Sequence, residues 1–431
     1  MTKLTPDQIA RSLSGAGFGD HMVWSDGQTH TVVAGVRAGI SLEGSTLSMR
    51  DAQGTRVATL ETRDPFVDVG ALLARAGLGP FRAWGYLGFG LTAFHHPAYR
   101  KRSACDLHLI VPEVTCRISG DALTFEGSDD AVGRARAAIA APSPAFAPSV
   151  PAAAALEAVR EGRAAYEEAV REVLAAIRAR EVGKVILARQ VRLAGTLDAL
   201  ATFAASASTQ AARRFAFELG GIRGVGACPE ILMVADGRGQ VVTNPLAGTQ
   251  PRGATEEEDA RLRANLLFDA KEVSEHAMSI KLAYEELASV CTAETLRVID
   301  FMEVKRYAFT QHLSSRAAGT LAASRTSWDA LRAVFPGVTC SGIAKEQALA
   351  LIDRLETTPR GVYGGAAGWV DHCGAMDWGI ALRSAFDYGE GVTLNAGAGI
   401  VLDSDPAYEF DESAHKMRTT ASRLVLAEDQ A

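Results

Sequence analysis

Strand-forming stretches in this chain come in groups, with long helices between the groups, and no other feature limits its fold as much. Between His30 and Gly127, the stretches HTVVAGV, LHLIVPEVTCRI and ALTFEG alternate apolar and polar residues, as half-buried strands do. Roughly residues 157–181 are rich in Ala, Glu and Arg and read as a helix. VILA, flanked by charge between Lys184 and Leu193, reads as a buried strand. FAFEL (215–219), EILMVAD (230–236) and QVVTNPL (240–246) continue a meander, and residues 256–290 read as one long amphipathic helix. HLSSRAAGTL is strand-like, and SWDALRAVF and LALIDRLE are helical. A glycine-rich strand pair spans 361–386, and the strand LNAGAGIVL precedes a terminal helix from about Asp405. Strict βαβ alternation is missing, so the fold class is α+β.

At 431 residues and 48% hydrophobic, the chain can bury a sizeable core. AAPSPAFAPSVPAAAA (140–155) reads as a linker or surface crossing and divides it into 1–150 and 151–431. The net charge of −7 argues against a nucleic-acid or anionic-membrane partner. It leaves room for a local basic pocket around a small anion. Cys105, Cys116, Cys228, Cys291, Cys340 and Cys373 form no CxxC pair and read as reduced, mostly buried thiols of a cytoplasmic protein. The N-terminal MTKLTPDQIARSL lacks the apolar core of a secretory signal, and no run approaches the length of a membrane span.

Two carboxylate spacings stand out. Glu272 and Glu275 lie three apart in KEVSEH, and Glu409 and Glu412 three apart in YEFDES. Each pair shares a helix face, where like charges repel by a few tenths of a kcal/mol in water and more when buried. Such pairs are also common on solvated faces. If both meet in the interior, they require a cation, and hard oxygen donors with water suit Mg²⁺.

PLAGTQPRG (245–253) and NAGAGI (395–400) read as small-residue turns. Gly248, Gly397 and Gly399 would let backbone N–H groups approach an anion, and Thr249 adds a hydroxyl; ordinary tight turns fit equally. Arg383, in the apolar ALRSAF, needs a partner, either a ligand carboxylate or a structural acid. Lys184 is a base if buried and a snorkelling surface lysine if not. Glu230 is a proton donor if enclosed and a strand-edge charge if not. His312 reads equally as a hydrogen-bonded core histidine.

The order of KVILAR, GACPE, NPLAGTQPRG, KEVSEHAMSIKL, FTQHLSS, FPGVTCSGI, TPRGVYGGAAGW, ALRSAF and NAGAGIVLDSDPAYEFDES resembles the chorismate-utilising enzymes over about residues 157–425. The family includes salicylate, isochorismate and anthranilate synthases. The resemblance implies a large α/β sandwich of two antiparallel sheets with helices outside, to which the first 150 residues contribute a variable part. It implies Glu275 and Glu412 as direct Mg²⁺ ligands, with Glu272 and Glu409 acting through water. Arg383 and Tyr363 would take the enolpyruvyl carboxylate, helped by amides around Gly397–Gly399. Thr249, beside Gly248, and His312 would line the ring, and Lys416 would sit near metal and carboxylate.

Lys184 stands where water-adding members carry a lysine base and ammonia-using anthranilate synthases carry glutamine. Ala247 stands where aminodeoxychorismate synthases carry a nucleophilic lysine. The resemblance therefore implies water attack at C2 with Lys184 as base and Glu230 protonating the departing C4 hydroxyl. Salicylate synthases then eliminate pyruvate. VIDFMEVKRYAFTQHLSS, PLAGT and DAKEVSEHAMSIKLA are similar to those enzymes, whereas Ala344 and Gly364 depart from their usual proline and serine. Isochorismate synthase, an amino-transferring relative and a non-catalytic chorismate-binding protein are the alternatives. Water needs no glutamine amidotransferase partner.

Overall fold

The computed structural model describes residues 4–141, 149–151, 154–306 and 310–427. Most of the expected linker at 140–155, and residues 307–309 of VIDFMEVKRYAFTQHLSS, lie outside the described residues.

Two large antiparallel sheets form the body, with ten and twelve strands among the described residues. Both draw on the two halves of the chain. His21–Ser25 pairs with Arg213–Leu219 in the first sheet. Arg82–Leu87 pairs with Ala366–Asp371 in the second. Between the sheets lies an aromatic layer in which Tyr86 of one sheet stacks on Phe217 of the other, 5.3 Å between ring centroids. Phe215 and Phe386 continue the stack. Wide rings buried face to face fill the roughly 10 Å between packed sheets.

The expected meander divides between the sheets. Arg213–Leu219 and Ile222–Cys228 belong to the ten-stranded sheet, whereas Ile231–Asp236 and Gln240–Asn244 belong to the twelve-stranded one. The chain crosses at Pro229 and Glu230. It crosses back between Ala375–Ile380 and Arg383–Asp387, so the glycine-rich stretch also serves both sheets. The Ile380 amide donates to the Glu230 carbonyl at 3.0 Å, which places the two crossings side by side.

The helix expected over 256–290 is two helices, Glu256–Phe268 and Ala270–Ala288. Asp269 leaves helical geometry and its carboxylate accepts from the Lys271 and Glu272 amides, satisfying donors that a helix start exposes. The helix expected over 157–181 likewise breaks, at Gly162 with φ +74°, into Ala155–Ala158 and Arg163–Arg178. Pro406–Ala421 starts behind Asp405, which accepts from the Tyr408 amide. Ala270–Ala288 packs on the strands Leu246–Pro251 and Thr310–Thr320 of the twelve-stranded sheet. Pro406–Ala421 packs on Val392–Ile400 of the ten-stranded sheet.

A buried ion pair ties these parts together. Arg360 donates to both Glu356 oxygens at 2.8 and 2.6 Å, to the Cys340 carbonyl at 2.6 Å and to the Ile186 carbonyl at 2.9 Å. Glu356 also accepts from the Ala188 amide at 2.8 Å. Arg360→Met would leave Glu356 charged and unpaired, and should cost about 3–5 kcal/mol in denaturant unfolding. Removing the Asp269 cap with Asp269→Ala should cost only about 1 kcal/mol. Equal losses would contradict this ranking.

Candidate active site

The crossings and the two capped helices enclose one pocket. Of the predicted site residues, Lys184, Glu230, Gly248, Thr249, Glu272, Glu275, His312, Tyr363, Arg383, Gly397, Gly399, Glu412 and Lys416 line it, and Glu409 does not.

Lys184 opens the strand Lys184–Leu193 and is 1% exposed. Its Nζ lies 2.8 Å from Glu275 Oε1 and 3.4 Å from Ser279 Oγ. A buried ammonium needs such an anion. Across the pocket Glu230, at the first crossing, accepts from Thr339 Oγ1 at 2.7 Å. Burial pushes its pKa up to about 8, although the Thr339 hydroxyl, the Leu246 amide and the charges of Lys184 and Arg383 oppose this. Lys184 and Glu230 are thus both enclosed in the pocket wall rather than set on the surface.

Gly248 sits in an irregularity of the strand Leu246–Pro251, at φ +76°. A Cβ there would stand 3.2 Å from the Glu272 carbonyl. The Thr249 amide donates to Glu272 Oε2 at 2.7 Å, so the anion this turn serves here is a glutamate of the facing helix. Thr249 Oγ1 lies 2.9 Å from His312 Nδ1. Burial, reinforced by Arg383 and Lys416, lowers the His312 pKa to about 3, so its imidazole is neutral.

NAGAGI is not a turn. Gly397 and Gly399 lie inside the strand Val392–Ile400, paired with Ala188 and Ile186. They are small for reasons of approach. A Cβ on Gly399 would stand 3.1 Å from Glu275 Oε1 and 3.3 Å from Lys184 Cε. The Gly397 carbonyl accepts from Lys416 Nζ at 3.0 Å.

The acidic pairs come in from different sheets. Burial, then the Glu275 charge, raises the Glu272 pKa. Burial, then the Glu412 charge, raises that of Glu409 to about 7. Burial also works against ionisation of Glu412, but Lys416, 2.5 Å away, with Lys271 and Arg383, outweighs it and holds the pKa low. Burial opposes the Lys271 charge, but the charge of all four glutamates outweighs it and raises the Lys271 pKa. Glu409 stands behind the pocket wall, one turn before Glu412. Its Oε1 is buried without a hydrogen-bond partner.

The oxygen-only donor set and the orphaned Glu409 oxygen fit a hard divalent cation such as Mg²⁺. Among the described residues, no three of the four glutamates bring oxygens within 4.8 Å of one another; the one cluster that does so is Asp371, His372 and Cys373 in an exposed turn. Lysines hold Glu275 and Glu412 instead.

Arg383 follows the second crossing and makes no ion pair among the described residues, so its guanidinium can take a ligand carboxylate. Tyr363 is buried beside it, and burial raises its phenol pKa. Sequence reasoning missed Lys271, Thr339 and the Glu356–Arg360 pair. Lys271 directly precedes Glu272, and its position in DAKEVSEH was the available signal.

Two antiparallel sheets with helices outside them form an α/β sandwich around a pocket with an acidic end and a guanidinium end. The chain belongs to the chorismate binding enzyme family, whose match covers residues 20–422. Anthranilate synthase component 1 of Haloferax volcanii is 40% identical over 59% of this chain and 49% of its own length. Salicylate synthase of Mycolicibacterium paratuberculosis is 39% identical over 60% of this chain and 58% of its own. The match thus spans about half the length of these curated relatives. In fold, anthranilate synthase component I from Streptococcus pneumoniae superimposes with a TM-score of 0.78 at 23% identity, over 92% of this chain and 93% of the other. Among the described residues no helix is long and apolar enough to cross a membrane.

The protonation states assigned here can be read by NMR. Glu230 should titrate near pH 8 in carboxyl-labelled protein, and His312 should show no titration between pH 5 and 8. A Glu230 carboxyl that ionises near the usual value of about 4 would remove it as a proton donor.

Proposed function

We propose that this chain converts chorismate through isochorismate into salicylate and pyruvate, in a Mg²⁺-dependent reaction. The observation that carries this reading is the pairing of a buried amine, Lys184, with a buried carboxyl, Glu230, on the walls of one pocket.

Lys184 takes the proton of a water molecule that attacks C2 of the ring. Its Nζ lies 2.8 Å from Glu275 Oε1, which holds it at the pocket wall. Glu230 gives its proton to the C4 hydroxyl, which departs as water, and the ring double bonds shift to give isochorismate. Arg383 and Tyr363 hold the enolpyruvyl carboxylate, and neutral His312 and Thr249 line the ring. A bound Mg²⁺, held by Glu275 and Glu412 with Glu272 and Glu409 behind them, would neutralise the ring carboxylate and relieve the repulsion among the glutamates. In the second stage the C2 hydrogen passes to the enolpyruvyl methylene as the C3–O bond breaks. That step needs orientation and no further acid or base. Water as nucleophile requires no amidotransferase partner.

A second reading, an isochorismate synthase that stops at the first product, draws support from Gly364. Its φ of +74° favours glycine in the YGG sequence that departs from the salicylate-synthase pattern. An ammonia-using enzyme draws support from the anthranilate synthase named above.

Incubation with chorismate and Mg²⁺ separates the three. Salicylate with pyruvate is the expected outcome; isochorismate alone supports the second reading, and an aminated ring formed only with ammonia supports the third. Lys184→Ala and Glu230→Gln should each slow water addition by about 10²–10⁴-fold without loss of fold. The wild-type rate should fall as pH rises through about 8, where Glu230 loses its proton. Glu275→Gln should weaken Mg²⁺ binding in calorimetry, and full activity in chelator would remove the metal from the scheme.

A further inference from the structure

The hairpin turn between the strands Ala366–Asp371 and Ala375–Ile380 brings three different ligand types together. Asp371, His372 and Cys373 each offer one donor atom, an oxygen, a nitrogen and a sulfur, and the three lie within 4.8 Å of one another. His372 and Cys373 are exposed, and Asp371 is half-buried. The turn stands at the far end of Ala375–Ile380 from the Ile380 amide that meets Glu230. A strand of 6 residues, rising about 3.3 Å each, separates the turn from that crossing by roughly 16 Å.

Each donor is oriented by a bond that leaves a lone pair for a ligand role. Asp371 Oδ1 accepts from the Cys373 and Ala375 amides, both at 2.9 Å, and Gly374 at φ +81° completes the turn. Asp371 Oδ2 is 4.0 Å from Arg82 Nη2, too far for a hydrogen bond, and that guanidinium lies over the Trp369 ring at 3.8 Å. His372 Nδ1 lies 3.3 Å from the Phe81 carbonyl. A carbonyl only accepts, so Nδ1 carries the proton and Nε2 presents its lone pair. A metal-binding histidine is commonly held in this way, by a carbonyl on the ring nitrogen away from the ion. Nε2 faces Cys373 Sγ at 3.3 Å. Sulfur and nitrogen ligands of one tetrahedral zinc, bound at about 2.3 and about 2.0 Å, stand roughly 3.5 Å apart.

We propose that Asp371, His372 and Cys373 bind one zinc-class transition-metal ion, with a fourth position left to water from the open cavity of about 620 Å³ that all three line. A thiolate and an imidazole select such an ion over Mg²⁺, whereas the four glutamates of the catalytic pocket offer only hard oxygens. Binding releases the Cys373 thiol proton to solvent, and thiolate and carboxylate then balance the charge of the divalent ion. The site rests on the turn alone and not on the chorismate reading.

Co²⁺ and Zn²⁺ are the probes, added to the full chain in excess Mg²⁺ so that the glutamates are already served. Co²⁺ should give a cobalt–thiolate charge-transfer band that saturates at one equivalent and is displaced by Zn²⁺. A cation held by the glutamates has no sulfur ligand and gives no such band. Cys373→Ser should abolish the band. His372→Gln should weaken Zn²⁺ binding in calorimetry by more than the roughly 10–100-fold that loss of a group behind a ligand costs. Glu275→Gln, in the catalytic pocket, should leave both readouts unchanged. In the wild-type protein Zn²⁺ should also protect Cys373 from alkylation by iodoacetamide, a measurement that needs no variant. Absence of the band, its persistence in Cys373→Ser, its loss in Glu275→Gln, or an unprotected Cys373 would each overturn the proposal.

Discussion

Mutual repulsion among Glu272, Glu275, Glu409 and Glu412 is the constraint around which the pocket is arranged. Two acids three residues apart on one helix cost little on a surface and much more when enclosed. Here each pair is relieved differently. Glu275 has Lys184, and Glu412 has Lys416. Glu272 takes the Thr249 amide, while Glu409, with burial and Glu412 against it, moves towards protonation. Lys271, on the same helix as the first pair, answers to all four. Divalent-cation binding would do the same work at one point in place of several.

That arrangement depends on the sheets. One acidic helix packs on the twelve-stranded sheet and the other on the ten-stranded sheet, so the pairs face one another only because the sheets are stacked. The same stacking requires the chain to cross between layers, and two of its crossings lie side by side. Glu230 stands on the first crossing and Arg383 directly after the second. A crossing breaks strand pairing, which leaves side chains there free to face a cavity. The proton donor and the guanidinium thus occupy positions that the topology already makes irregular.

Much of this was legible in the sequence, and the misses have physical causes. Strand and helix periods located most of the larger elements after residue 157, because burial imposes them, whereas Pro6–Leu13, Ala38–Glu43, Thr46–Asp51, Pro65–Arg75 and Asp129–Ala140 were not picked out. Which sheet a strand joins is a long-range matter, and FAFEL and EILMVAD carry no local mark of belonging to different layers beyond the Pro229 between them. The break at Asp269 did leave a mark. Asp followed three residues later by Glu is an N-terminal capping signal, hidden here by helical composition on both sides. NAGAGI misled because glycine signals both turns and close approach; Gly399 is small so that Lys184 and Glu275 can meet against the strand. The carboxylate pairs were visible by spacing, yet Lys271 was overlooked because a lysine beside a glutamate is ordinary on a solvated helix.

Bulk charge also describes this protein poorly. A net charge of −7 says nothing of the catalytic pocket, where glutamates, lysines and a guanidinium share one lining. The helix Pro406–Ala421 brings Glu412 and, one turn later, Lys416 to that lining. A single helix, spaced at about 3.6 residues per turn, therefore sets a negative and a positive charge side by side at the pocket.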